Sequence, residues 1–372
     1  MEFLATTSFA MEGVLKNELT LLGFEVERTT PGLCLFCADL DALVWANASL
    51  RSAERVFLVL GRWEAKSFDA LFDGIMRLPL EDVLPSNGRF HVNARSFKSQ
   101  LFSLRDIQSI TKKAVAERLG RAYKMKILPE DGIDYPLMLR MERDEAMLLL
   151  DTSGEPLHKR GYRVSGHIAP IRENIGASLI LLSRWFGKGP FIDPMCGSGT
   201  LAIEAAMIAT NRPPGLERDF LFEKWGILDP LKAQEIRDIM RSRITPANTV
   251  IQGYDKDPKA IRKARKNAAS FGLDSLIHFQ CRDLEEFSTS LRRGTIVTNM
   301  PYGERMGTRQ EMIELNHLFD RQILQLDTFR LGVLSGDAYF SQAKSRKPTR
   351  VRKFNNGKII TYFYQYEPVA RR

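Results

Sequence analysis

Phe191-Ile192-Asp193-Pro194-Met195-Cys196-Gly197-Ser198-Gly199-Thr200 reads as a short apolar strand that ends in a carboxylate, turns through two glycines and enters a helix. A helix over Thr200–Thr210 follows at once. Val250–Asp255, a helix over Pro258–Phe271, Ile277–Cys281, Thr295–Asn299, a helix near Gln310–Leu326 and Leu331–Ser335 continue the alternation. Strands and helices alternating at this spacing predict a mostly parallel, doubly wound sheet whose ligands lie beyond the carboxyl ends of its strands. Val351–Phe354 and Ile359–Tyr366, flanking Asn355-Asn356-Gly357, predict a terminal hairpin. Residues 211–249, punctuated by Pro213, Pro214, Pro230 and Pro246, read as an insertion into this α/β unit.

The glycine loop matches G-x-G-x-x-G/A, from Gly197 to Ala202, but the surroundings argue against a dinucleotide. A nicotinamide cofactor places an acid about 20 residues past the glycines for its ribose. Here the next strand ending in an acid is Val250–Asp255, well beyond that interval, and Asp193 precedes the loop. A carboxylate there gains nothing from a pyrophosphate but attracts a sulfonium or an ammonium. The pattern therefore points to S-adenosylmethionine. Asp193 and the stretch Pro194, Cys196, Gly197, Ser198, Gly199 and Thr200 suit its methionine part. Asp255, with Lys256 beside it, suits the ribose hydroxyls, and Asp283 with Leu284 suits the adenine. Asp257 directly before Pro258 reads as a helix N-cap, so Asp255 is the preferred ribose partner.

Asn299-Met300-Pro301-Tyr302 follows the fourth strand of the unit. An exocyclic amino nitrogen on a purine is a poor nucleophile because the ring delocalises its lone pair. Acceptors that grip its hydrogens restore a tetrahedral nitrogen. Asn299 supplies an amide oxygen and Met300 a main-chain carbonyl, while Tyr302 offers a stacking face on a turn fixed by Pro301. Asn299 is counted with the cofactor-binding residues as well as the catalytic ones. No metal is required, and the alternating run Leu33–Ala38 puts Cys34 and Cys37 on opposite faces, against joint ligation.

The 372 residues, 44% hydrophobic and 27% charged, suit a chain of two or three domains with ample core. No apolar stretch reaches the roughly 20 residues of a bilayer span. The N-terminus lacks a signal-peptide pattern and cysteines are sparse, which together predict the cytoplasm. The net charge of +9 is concentrated in two places. One is the N-terminal half, with Arg95, Lys98, Arg105, Lys112 and Lys113; the other is the acid-free run Ala338–Tyr366, with Lys344, Arg346, Lys347, Arg350 and Lys358. Clustering favours a polyanion partner such as a nucleic acid, with Arg160 and Arg163 added from the connecting segment. Phe97, Phe102 and Tyr123 interleave with the first cluster as candidates for base stacking.

Upstream of the α/β unit, short strands alternate with helices. Glu2–Thr7, a helix over Met11–Leu22, Phe24–Thr29, Leu33–Ala38, a helix over Leu40–Leu50 and Arg55–Leu60 give a first α+β domain over residues 1–66. Ser67–Leu78 and Ser103–Tyr123 as helices, with strands Phe90–Arg95, Leu137–Met141 and Met147–Leu150, give a second over 67–155. Residues 156–170 read as a linker, and 171–372 as the α/β domain.

With these motifs the chain resembles the THUMP-containing RNA methyltransferases of the RlmL/YpsC family. The resemblance rests on Asp193–Thr200, on Asn299–Arg305, and on Lys159–Arg163 with Ala169–Glu173, and covers nearly the whole chain. It implies a ferredoxin-like domain, a THUMP domain that collects RNA, and a Rossmann-like S-adenosylmethionine-dependent methyltransferase domain. It further implies that Arg172 and Glu173 line the cofactor entrance, and that the reaction is N2-methylation of guanosine in large-subunit ribosomal RNA on an unpaired or flipped base. The family's usual tetrapeptide is Asn-Pro-Pro-Tyr; Met300 stands at its second place, and Asn174 where threonine is common. Two other outcomes stay open: methylation of transfer RNA guanosine or of adenine-N6, and a non-catalytic RNA-binding or ribosome-assembly role.

Overall fold

The computed structural model describes residues 1–163, 171–301, 308–338, 340, 345–356 and 359–369. Tyr302 with 303–305, Ala169 and Pro170, Lys344, and Gly357 and Lys358 lie outside the described residues.

The N-terminal half contains β1 (Glu2–Thr7), α1 (Glu12–Leu21), β2 (Glu25–Thr30), β3 (Leu33–Cys37), α2 (Ala42–Ser49) and β4 (Ala53–Glu64). It continues with α3 (Phe68–Met76), β5 (Arg89–Phe97), α4 (Leu104–Tyr123), β6 (Asp134–Glu142) and β7 (Glu145–Asp151). The two expected domains share one sheet, in the order β2-β3-β1-β4-β7-β6-β5. The cause is β4, twelve residues long, which pairs with β1 over its first part and with β7 over the rest. Arg143 and Asp144, both at positive φ, make the tight turn between β6 and β7.

Helices cover one face of this sheet over a core that includes Phe3, Leu15, Phe36, Val56, Leu139 and Leu148. The other face carries a smaller cluster of Leu4, Leu33, Leu35, Phe57, Met147 and Leu149. There Arg28 of β2 meets Glu145 of β7 at 2.8 Å. Those strands are four positions apart, about 19 Å in a flat sheet. The sheet is therefore rolled, and irregular register in β1, β2 and β4 provides the bend.

The second half contains α5 (Glu173–Leu182), β8 (Phe191–Asp193), α6 (Thr200–Ala209), α7 (Pro230–Ser242), β9 (Ile251–Asp255) and α8 (Pro258–Ala269). It ends with β10 (Ile277–Cys281), β11 (Gly294–Asn299), α9 (Arg309–Phe319), β12 (Phe329–Ser335), β13 (Arg350–Asn356) and β14 (Ile359–Tyr366). The sheet order is β10-β9-β8-β11-β12-β14-β13, parallel through β12 and antiparallel at β14. Separate apolar clusters fill its two faces, as in a doubly wound fold. From β8 the chain runs outward through β9 and β10, then returns to β11 on the opposite side. That reversal puts a crevice at the carboxyl ends of β8 and β11.

Two expectations about the connecting regions need correction. Residues 156–163 are packed rather than a loose linker: Leu157, Arg160 and Tyr162 are all buried. The 211–249 insertion joins the N-terminal core instead of the α/β unit, because Leu216, Phe220, Phe222, Trp225, Ile236 and Met240 cluster with it. Its backbone is tied there as well, by Gly215 N–H to the Ala48 carbonyl (2.9 Å) and Phe222 N–H to the Thr152 carbonyl (3.2 Å). Prolines marked the interruption, but only long-range contacts decide which core an apolar segment completes.

Trp225 carries much of this attachment. Its indole stacks on Tyr135 with centroids 5.0 Å apart, and Nε1 donates to the Asp134 carbonyl at 3.0 Å. Trp225→Ala should destabilise the N-terminal half by about 3 kcal/mol, the usual cost of removing a buried aromatic. Hydrogen exchange would show faster opening of β6 amides; protection unchanged in β6 would refute the attachment.

Candidate functional site

The glycine loop is fixed by backbone chemistry before any ligand is considered. Gly197 and Gly199 adopt φ of +52° and +85°, where a side chain is strained. A Cβ on Gly199 would also stand 3.0 Å from both Ala264 and Phe279. Gly253 in β9 is equally constrained, since a Cβ there would lie 2.8 Å from the Phe279 ring. The loop is then pinned from below. Cys196 N–H donates to the Tyr254 carbonyl (2.7 Å), Gly197 N–H to Asp255 Oδ2 (2.8 Å), and Asn267 Nδ2 to the Ser198 carbonyl (3.0 Å). Sequence reasoning overlooked Gly253 and Asn267, which lie on the neighbouring strand and helix and have no local signal.

Asp193 is buried at the end of β8, and Pro194 is buried beside it. One carboxylate oxygen, Oδ1, accepts from Thr298 Oγ1 (2.8 Å) and Met195 N–H (3.2 Å). Burial pushes its carboxyl up to about 7, against the pull of those two donors, and Asp255 adds to the rise. The Thr298 bond ties the tip of β8 to the tip of β11, so the two sequence motifs meet. Thr298 was not anticipated; its role depends on β11 lying against β8, which the strand order alone reveals.

At the tip of β11, Asn299 is half-buried and Met300 is buried, whereas Pro301 is exposed. Met300 N–H donates to the Leu334 carbonyl at 2.9 Å, which fixes the peptide that follows Asn299. The Asn299 side-chain oxygen is buried without a hydrogen-bond partner among the described residues. An unmatched buried acceptor costs free energy unless a donor reaches it.

Asp255 is divided between Gly197 N–H and Asp257 N–H (2.9 Å), one per oxygen, with further lone pairs on each. Asp257 caps α8 through Lys259 N–H (2.8 Å), as its place before Pro258 suggested. Asp283 caps a short turn through Glu285 N–H (3.1 Å), with Leu284 buried behind it and Lys256 exposed at the β9 end.

Three arginines expected on RNA face inward. Arg160 is buried, with Nε 3.3 Å from Glu204 and bonds to the Leu157 (2.7 Å) and Arg51 (2.5 Å) carbonyls. Arg346 donates to the carbonyls of Leu326, Phe329 and Glu367 and lies over the Tyr366 ring. Arg163 turns to the glycine loop: it pairs with Glu173 (2.5 Å) and reaches Thr200 Oγ1 (3.2 Å) and Ser198 Oγ (3.5 Å). Charge counting registers these cations but not the anions and carbonyls that fold against them. Glu173 is buried at the start of α5, while Arg172 is exposed and pairs with Glu54 across the seam (3.0 Å). Tyr123 is anchored through its hydroxyl to the Leu84 (2.8 Å) and Glu81 carbonyls, which withdraws it from the stacking set. Arg95, Lys98, Arg105, Lys112, Lys113, Lys347 and Arg350 remain on the surface, with Lys112 paired to Glu130.

Residues 160–364 match the family described as RMKL-like, methyltransferase domain. Residues 2–57 match the RlmL ferredoxin-like domain and 65–151 the THUMP domain. The chain is 37% identical over 368 residues to a putative RNA methyltransferase, YpsC, of Bacillus subtilis, covering 98% of this chain and 95% of the relative. It is 32% identical over 394 residues to the ribosomal RNA large subunit methyltransferase K/L of Syntrophotalea carbinolica, covering all of this chain and 54% of that protein. The chain thus spans about half the length of the K/L enzyme. The crystal structure of SMU.472, a putative methyltransferase complexed with SAH, superimposes with a TM-score of 0.92 at 35% identity, over 100% of this chain and 99% of that one. With the glycine loop, the β8–β11 crevice and all three domains accounted for, the chain belongs to the RlmL/YpsC family of RNA methyltransferases.

Proposed function

We propose that the chain transfers the methyl group of S-adenosylmethionine to the exocyclic N2 of a guanosine in large-subunit ribosomal RNA, acting in the cytoplasm. The observation that carries this reading is the unmatched Asn299 side-chain oxygen at the tip of β11. It stands one residue from Thr298, whose hydroxyl is bonded to Asp193 at the mouth of the glycine loop. A donor held at that loop and a purine amino group held at Asn299 are neighbours across the β8–β11 crevice.

Asp193 would attract the donor's positively charged end, the Gly197–Thr200 backbone would hold its methionine part, Asp255 its ribose hydroxyls and Asp283 its adenine amino group, and the bound donor would supply an electrophilic methyl group. Asn299 and the Met300 carbonyl accept the two hydrogens of the guanine amino group, and Tyr302, outside the described residues, is the residue expected to stack on the base. The nitrogen lone pair attacks the methyl carbon as the carbon–sulfur bond breaks. S-adenosylhomocysteine leaves, and the nitrogen returns one proton to solvent. Positioning and charge complementarity supply the rate enhancement, so no strong base is needed. Arg163 joins this set by holding Ser198 and Thr200 from above Glu173. The rRNA target rests on the K/L relative, and the rolled N-terminal sheet with its THUMP match supplies the RNA-holding half.

Ribosomal RNA lacking the modification, incubated with donor and protein and digested to nucleosides, should yield N2-methylguanosine by mass spectrometry. N6-methyladenosine alone would overturn the guanine assignment, and RNA binding with no methylated product would favour an assembly factor. Asn299→Ala should lower turnover by on the order of 10²-fold, the effect of removing one preorganised partner; full activity would exclude its role.

Donor binding should also depend on pH with a defined sign. Asp193 titrates near 7 in the free protein, and an incoming ammonium favours its ionised form. Affinity for S-adenosylhomocysteine should therefore rise as pH increases from 6 towards 7.5. Calorimetry at pH 6 in buffers of different ionisation enthalpy should detect a proton released on binding. Asp193→Asn should abolish that release; a release persisting in the variant would assign it elsewhere.

A further inference from the structure

The loop between β5 and α4 presents an unusual surface. Phe97 is 54% exposed and Phe102 81% exposed, with Leu104 also open to solvent, all within eight residues. Exposed aromatic side chains on a loose loop would mean little, but this loop is held from several directions. Gln100 N–H donates to Asp144 Oδ1 (2.7 Å), and Asp144 N–H donates back to Ser99 Oγ (3.0 Å). Ser96 Oγ donates to the Leu101 carbonyl (2.6 Å), Arg143 N–H to the Phe97 carbonyl (3.1 Å), and the Leu101 side chain is buried. The backbone is thus anchored on the β6–β7 turn while its two phenylalanines stay in water. Holding apolar rings rigidly in solvent yields no folding energy, which marks a surface built for contact.

The charges around the rings indicate what that contact is. Arg95, Lys98, Arg105 and Arg143 are exposed, and among the described residues none has an acidic partner within salt-bridge distance. Lys98 instead lies 5.4 Å from the centre of the Phe97 ring. Of the neighbouring acids, Asp144 is engaged by Gln100, Glu142 by Arg140, Glu145 by Arg28, and Glu54, which lines one cavity with Arg95, by Arg172, which leaves Asp106. A partner that offers flat faces to phenylalanine and negative charge to four free cations is an unpaired nucleic-acid strand. A duplex hides its base faces and satisfies only the cations.

We propose that the β5–α4 loop is a stacking platform that captures unpaired nucleotides of the substrate RNA. Phe97 and Phe102 take base faces, and Arg95, Lys98, Arg105 and Arg143 take the phosphates that join them. The inference rests on RNA being the substrate, and it adds the form in which RNA is held: a single strand, gripped at the outer edge of the N-terminal sheet.

The test measures affinity for a labelled unstructured oligoribonucleotide and for a hairpin duplex of matching composition. Phe97→Ala and Phe102→Ala should each weaken single-strand binding by about 5- to 100-fold and duplex binding far less. Phe102→Leu should fail to restore affinity. Phe102→Trp should restore it, with tryptophan fluorescence quenched as the strand binds. Arg95→Ala and Lys98→Ala should each lower the slope of log affinity against log salt by about 0.7. Unchanged affinity for S-adenosylhomocysteine in every variant establishes that the fold is intact. Alanine variants within twofold of wild type, full rescue by leucine, or equal losses for duplex and single strand would each overturn the platform. Wild-type protein that binds the homocysteine product but no RNA would instead remove the RNA reading itself.

Discussion

The structure turns on a carboxylate buried between its two halves. Glu204 lies on α6, the helix that begins at the glycine loop, and it meets Arg160 at 3.3 Å and the Tyr162 hydroxyl at 3.5 Å. Arg160 in turn donates to the Arg51 carbonyl, and Arg51 donates to the Arg212 carbonyl just past α6 (2.8 Å) and to that of Met207 in its last turn (3.3 Å). Glu18 of α1 completes the seam by accepting from the Arg51 and Ser52 amides (2.8 and 2.9 Å). Burial raises the Glu204 carboxyl and the two guanidiniums pull it back. Removing one member of such a group leaves an uncompensated charge, at a cost of about 3–5 kcal/mol. A seam of this kind tolerates little relative motion, so the N-terminal sheet keeps a fixed relation to the helix that begins at the glycine loop.

The insertion reinforces the same relation from the other side. Residues 211–249 leave the α/β unit after α6 and return before β9, yet their apolar side chains complete the N-terminal core. Arg237 bonds to the carbonyls of Leu216 (2.5 Å) and Arg218 (2.8 Å), and Arg218 to those of Glu155 (2.8 Å) and Pro156 (3.0 Å). These guanidiniums flank the Phe220 ring, and Arg237 satisfies the Leu216 carbonyl in a buried bond. The chain is thus cross-braced: the first half reaches into the second through Arg51, and the second reaches back through the insertion.

The β8–β11 crevice, by contrast, is built from local structures on two paired strands, whose tips are tied by a side-chain bond. The glycine loop depends on two positive-φ residues and on neighbours that leave no room for a Cβ. Asn299 depends on β11 ending beside β8. The Thr298–Asp193 bond joins these two local structures and brings a carboxyl of raised pKa within one residue of an unmatched amide oxygen. The methyltransferase chemistry proposed here asks for that proximity, since a single methyl group must pass between the two strand tips.

Sequence alone determined what depends on local pattern. The strands Glu2–Thr7, Phe191–Asp193, Ile277–Cys281 and Ile359–Tyr366 follow from runs of apolar or alternating residues, and the donor loop from its glycines. The cap at Asp257 follows from the proline after it. Tertiary structure decided what depends on partners distant in the chain. It merged two expected domains into one rolled sheet through β4, moved the insertion to the other core, and turned Arg160, Arg163 and Arg346 from surface cations into internal donors. The physical reason is the same in each case. A residue's type fixes what it is able to bond, but only the packed chain fixes which carbonyl, carboxylate or apolar face stands within reach.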